Sequence, residues 1–289
     1  MLFLLSAVGS IVPTVCRKQT VKHTGTTDHG HNLPNGALRP HCAMFEIHTL
    51  ALAACMLLGA ALYTSVGHAG ASAYIALMAL IGVAPAVMRP TALALNILVA
   101  GFTSFRYLRT GLFRWRTLWP FLIGALPFAI LGGAVQLPGQ FYRPLVGAIL
   151  IVAGVRFLWP KDVTSNQKPR DPPVIAAVAF GALIGLLSGL TGTGGGIFLS
   201  PILLFAGWSD TRAASGVAAV FILCNSIAGL LGNIAIVRSL PAELPIYAAA
   251  VMLGAIVGTT FGIKFAVPTI LKALGLVLMI AGFKLIGVY

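Results

Sequence analysis

The sequence predicts an all-α protein: a polytopic transmembrane helical bundle of about eight to ten membrane segments, built as a two-fold internal repeat with broken or re-entrant helices. Three observations predict it. The 289 residues are 58% hydrophobic and 9% charged, whereas a soluble domain carries about 25% charged residues. The charges cluster, and the apolar stretches between them run roughly 15 to 27 residues, the range of membrane-spanning helices. Two glycine-rich interruptions, Ser65-Val-Gly-His-Ala-Gly-Ala-Ser72 and Leu190-Thr-Gly-Thr-Gly-Gly-Gly-Ile197, lie inside otherwise apolar sequence. Backbone broken at membrane depth must be buried in protein or face a watery cavity.

The chain opens with a region unlike the rest. Residues 1–43 hold an apolar run too short to span comfortably, then a polar stretch rich in Gly, Pro, Thr, Asn and His. No Lys or Arg precedes the apolar run, so it makes a poor signal peptide. The region reads as a disordered extension or as the product of a start assigned upstream of a true start at Met44. His29 and His31 have a metal-binding alternative, but short His-rich tracts are weak signals. Cys16, Cys42, Cys55 and Cys224 form no CxxC spacing, so neither a disulfide framework nor a zinc site is expected.

Ten apolar segments follow, near 46–66, 70–84, 90–109, 115–136, 140–159, 173–190, 195–208, 211–237, 242–265 and 268–288. The second and seventh are short. The polar linker 161–172 separates a first transmembrane repeat, 44–160, from a second, 173–289. Gly67 matches Gly192, Gly70 matches Gly195 and Gly82 matches Gly207. Each break leads to a short apolar segment, a turn (83–89; 208–212) and a long helix carrying an asparagine, Asn96 or Asn225. Gly254, Gly258 and Gly262 form a smooth stripe for helix packing.

Charge sets the orientation. Arg106, Arg109, Arg114 and Arg116 follow the third segment; Arg156, Lys161, Lys168 and Arg170 surround the linker; Lys264 and Lys272 flank the turn after the ninth. If all ten segments cross, these places share one side, the cytoplasmic one. The two five-segment halves are then inverted relative to each other. If the short segments are re-entrant, the count falls to eight and the inversion is lost. The net charge of +13 is explained by these loops, and no basic face with interleaved aromatics points to nucleic acid.

The glycine breaks are the expected substrate site. They expose N–H groups at the start of the next helix, where the helix dipole favours an anion. The candidate substrate-binding residues are Gly67, His68, Gly70 and Ser72 in the first half, with Asn96 behind them. In the second half they are Ser188, Thr191, Gly192, Thr193, Gly194, Gly195 and Gly196, with Asn225. His68 is an ionisable group deep in the membrane part and could donate to an anion or relay a proton. The bland alternatives are glycines that allow tight crossing, a neutral histidine bonded to a carbonyl, and asparagines that only bond between helices. Acidic residues outside the extension, Glu46, Asp162, Asp171, Asp210 and Glu243, all lie near segment ends. With no P-loop, HExxH or paired carboxylates, an ATP-driven pump or hydrolase is not expected, and no cofactor or metal is implied.

The stretch Leu187-Ser-Gly-Leu-Thr-Gly-Thr-Gly-Gly-Gly-Ile197, leading into Pro201 and Trp208-Ser-Asp-Thr-Arg-Ala213, resembles the sulfite exporter TauE/SafE family. Gly67-His-Ala-Gly-Ala-Ser72 with Arg89-Pro-Thr-Ala-Leu-Ala-Leu-Asn96 is similar to a branch with a modified first glycine motif. The resemblance runs from about Met44 to the C-terminus. It implies a multi-pass permease of the cell membrane, the inner membrane in a Gram-negative cell, for small anions that often contain sulfur: sulfite, sulfoacetate, sulfonates. The resulting expectation is a secondary transporter or facilitator, not an enzyme, whose partners are a small anion and the lipid bilayer. The alternative is a non-transport accessory or assembly subunit, which would have no need of two glycine breaks.

Overall fold

The computed structural model describes residues 40–65, 67–111, 113–158, 170–233, 240–262 and 268–287. The extension before Pro40 with His29 and His31, most of the 161–172 linker, and the turn bearing Lys264 lie outside the described residues.

Ten helices are described: α1 Pro40–Ser65, α2 Ala71–Leu80, α3 Pro85–Arg109, α4 Trp115–Ala134, α5 Gly139–Leu158, α6 Val174–Thr191, α7 Gly196–Phe205, α8 Thr211–Gly232, α9 Leu244–Gly262 and α10 Pro268–Ile286. The expected segments are all present. Four of the described helices, within α3, α4, α6 and α8, are each long and apolar enough to cross a membrane. Large apolar side chains such as Leu58, Ile123, Leu183, Leu231 and Leu276 face outward, as suits a surface in contact with lipid.

Two boundaries differ from expectation. α1 begins at Pro40 rather than 46, so a boundary at Met44 falls in its second turn. Residues 85–89, read as part of a turn, form the start of α3. Pro85 occupies the first helical position, where its missing N–H costs nothing.

Backbone contact at glycines gives the direction of each helix. Gly181, Gly185 and Gly189 of α6 lie against the carbonyls of Phe121, Ala125 and Ala129 of α4, so these helices run parallel. Gly254 and Gly258 of α9 lie likewise against Leu57 and Ala61 of α1. A Cβ at any of these glycines would strike backbone, which is why the seams need them. α3 and α8 run antiparallel: Asn96 is bonded to Ser226, and Gly101 lies against Leu223. α5 and α10 also run antiparallel, with Gly147 on Gly282 and Gly154 on Gly275. These four pairings, with α4 also packed on α8 through Gly133 and Gly232, build the bundle.

The bundle therefore has two ends. Arg106, Arg109, Arg114, Arg116, Arg156 and Arg170 gather at one of them: Arg156 stacks over Phe205, and Trp208 touches Phe121 and Phe180. We call this the basic end. The start of α3, the end of α4 and the start of α5 form the far end.

The short helices double back. α1 rises from the far end alongside α9, whose Thr259 and Thr260 bond Arg106 at the basic end. α2 then returns to the far end, where the Leu80 carbonyl accepts from Lys284 near the end of α10. α6 and α7 do the opposite. α6 starts at the basic end and climbs to Arg89; α7 descends until the Gly207 carbonyl accepts from the N–H of Arg170, beside the start of α6. Each short helix has ten residues, about 15 Å or half of a hydrocarbon core. Each deep hairpin ends on the side where it began, so α3 and α8 start from opposite ends.

Candidate functional site

The unwound segments between α1 and α2 and between α6 and α7 meet inside the bundle. Both are shaped by left-handed glycines: Gly67 and Gly70 in the first, Gly192, Gly194 and Gly195 in the second. Side chains with a Cβ rarely adopt that conformation. Gly82 and Gly207, which end the two short helices, also have positive φ. All three matched glycine pairs thus share one backbone geometry.

Where the breaks meet, His68 Nε2 lies 3.1 Å from the Gly196 carbonyl and 3.1 Å from Ser200 Oγ. A small cavity beside it is lined by Tyr63, His68, Gly70, Ser72, Asn96, Thr193, Gly196 and Ile222, among others. It measures about 10 Å³, space for roughly one water. α2 begins at Ala71 and α7 at Gly196, so two helix N-termini face the same cavity from opposite ends. Neither is capped by a side chain. The first N–H groups of each helix lack intrahelical acceptors, and the dipoles leave partial positive charge there.

Of the sequence-predicted residues, the structure brings His68, Gly70, Ser72, Asn96, Thr193 and Gly196 to this cavity. Gly194 and Gly195 pack directly behind it, against Asn96 and Asn225. The Asn225 amide donates to the Gly194 carbonyl at 3.3 Å, and the Asn96 amide donates to Ser226 Oγ at 2.8 Å. Thr191 supports the loop by donating to the Leu187 carbonyl and contacting the Thr193 hydroxyl. Ser188 is buried below the break, and its Oγ has no partner among the described residues. Gly67 and Gly192 stand apart from the cavity: Gly67 presses on Ser215, Gly192 on Arg89. They mark the deepest points of the two hairpins.

Several site residues were not found from the sequence. Tyr63 bonds Ser72 Oγ at 2.5 Å and so fixes the first turn of α2. Ser226 holds Asn96 across the half-to-half seam, and its place beside Asn225 was the available signal. Arg89 is only 4% exposed. Its guanidinium donates to the carbonyls of Gly132, Gly133 and Val135 at the end of α4. It thereby satisfies acceptors that a helix C-terminus leaves open. A lone basic residue between Met88 and Pro90 reads as a loop charge until the partner helix end is placed over it.

A family model described as "Sulfite exporter TauE/SafE" matches residues 51–285. The chain belongs to the TauE/SafE family. It is 39% identical over 245 residues to a "Probable membrane transporter protein y4hK" of Sinorhizobium fredii, covering 83% of this chain and 99% of that protein. No solved structure matches. A TauE/SafE chain with this bundle is a multi-pass membrane transporter.

Proposed function

We propose that this TauE/SafE transporter carries a small oxyanion, sulfur-containing compounds included, through a site between the two glycine breaks. One observation carries the reading: two uncapped helix N-termini converge on one polar cavity from opposite ends of the bundle. Oriented N–H groups and aligned dipoles favour negative charge without any basic side chain. Thr193, Ser72 and His68 add side-chain donors. The Oδ1 of Asn96, which lines the cavity, has no partner among the described residues, which suits a protonated oxyanion able to donate as well as accept.

The cavity is too small for such an anion as it stands. Transport then requires the breaks to part, opening toward one end at a time. The packing supports a two-fold relation between residues 44–160 and 173–289. The first helix of each half packs on the fourth of the other, the third packs on the third, and the fifth on the fifth. In that relation the basic end is cytoplasmic by the excess of arginine there.

Proteoliposome flux with a panel of oxyanions and small cations tests the reading. Uptake of sulfite or sulfonates, reduced by substitution at Thr193 or Gly195, is expected. Flux of cations in place of anions overturns it.

A further inference from the structure

At the far end lies a second, larger cavity of about 250 Å³, the liquid volume of roughly eight waters. It opens between the start of α3, the α4–α5 turn and the end of α8. Arg89, Asn233, Tyr142, Gln136, Pro85 and Leu137 line it. Two of these polar groups are incompletely satisfied. Asn233 is 2% exposed, and neither its Nδ2 nor its Oδ1 has a partner among the described residues. Arg89 Nε likewise has none.

We infer that this cavity is an anion-capture vestibule, a second oxyanion subsite in which Arg89 supplies the charge and Asn233 the directional hydrogen bond. The inference rests on the proposed anionic cargo and adds a place where the anion binds before reaching the breaks. Arg89 carries a full positive charge, and its partners are three carbonyls. The carbonyls of a helix terminus together amount to only about half a negative charge. No carboxylate pairs with Arg89 among the described residues. A buried cation with that deficit attracts an anion into the adjoining space.

The vestibule lies against the second glycine break. The Arg89 backbone and Cγ touch Gly192, and Tyr142 donates to the Thr191 carbonyl at 3.0 Å. An anion leaving the vestibule therefore reaches the second glycine break once this packed Arg89–Gly192 contact opens. The arrangement is also one-sided. Arg89 is the fifth residue of α3, and the fifth residue of α8 is Ser215. Gly192 presses on the first and Gly67 on the second. Among the described residues a buried charge thus sits under one break, and this places the capture site at the far end.

The test reads the vestibule without relying on transport. Gln136 is exposed at its mouth. Gln136→Cys, in full-length protein whose native cysteines are replaced by Ser, is labelled with negatively and positively charged methanethiosulfonates of similar size. After correction for intrinsic thiol reactivity, the negative reagent should react about fivefold faster or more. Sulfate should slow it. Asn233→Asp should lower that preference by about fivefold, and Arg89→Lys, which keeps the charge, should preserve it. Equal rates for the two reagents, or a preference unchanged by Asn233→Asp, overturn the inference. If the preference is present but no anion crosses a proteoliposome, the vestibule stands and the transport reading falls. If anions cross but no preference exists, the reverse holds.

Discussion

The N–H of Arg170 donates to the carbonyl of Gly207 at 3.1 Å, tying the residues just before α6 to the end of α7. This bond closes one deep hairpin. Lys284 on the Leu80 carbonyl marks the corresponding point of the other, at the opposite end. Both short helices therefore return to their own side, and this sets the sidedness of everything after them.

Labelling of single cysteines checks that sidedness. Ala84 and Ala206 are exposed in the turns that follow α2 and α7. In intact cells, Ala84→Cys should react with an impermeant external thiol reagent. Ala206→Cys and Arg114→Cys should react only after permeabilisation. External labelling at Ala206 or Arg114 would reverse the assignment of the basic end to the cytoplasm.

Gly194→Val and Gly195→Val should abolish transport while the protein still inserts. Both positions have positive φ. A Cβ at Gly194 meets the Asn96 amide, and one at Gly195 meets Ile184, Asn225 and Phe221 at 2.8–3.0 Å. Membrane content by immunoblot and flux in proteoliposomes separate the two effects. Normal insertion with wild-type flux would reduce the motif to a packing element.

His68 is the group at the cavity that can gain charge, and Gln in its place keeps a donor but cannot be protonated. A positive charge beside the anion strengthens its binding. Any dependence of flux on pH that a protonated His68 confers should be lost in His68→Gln. Parallel pH profiles for the two proteins would exclude His68 as the source.

Arg89→Met should destabilise the bundle by on the order of 2–4 kcal/mol, because hydrogen bonds from a charged donor are worth about 1.5–3 kcal/mol each and their losses overlap. The carbonyls of Gly132, Gly133 and Val135 lose their donor together. Thermal unfolding in detergent reads this, and Arg89→Lys should recover only part of the loss, since an ammonium lacks the guanidinium fork. An unchanged melting temperature in Arg89→Met would show that solvent replaces it.

A chain beginning at Met44 should insert and transport. The family match starts at residue 51, and the truncation removes only the first four residues of α1. Loss of insertion would assign the extension a role in assembly.

The class and the position of the two breaks were legible in the sequence for a common reason. Membrane burial demands long apolar runs, and a break in such a run shows as Gly67 and Gly70 or as Gly192, Gly194 and Gly195 against that background. Left-handed backbone is a local property that glycine permits, and the three matched pairs all adopt it. The clustering of arginine at one end was also local, because loop charge is set by each loop alone. What neighbours a residue is not local. The end that α2 reaches shows only once Lys284, some 200 residues away, is found on the Leu80 carbonyl. Whether Arg89 is a loop charge or a buried cap depends on the end of α4 arriving over it. Apolar helices of similar composition offer many equivalent faces. Close backbone approach at glycines such as Gly181, Gly185, Gly189, Gly254 and Gly258 selects which faces meet, and so which polar groups share a cavity.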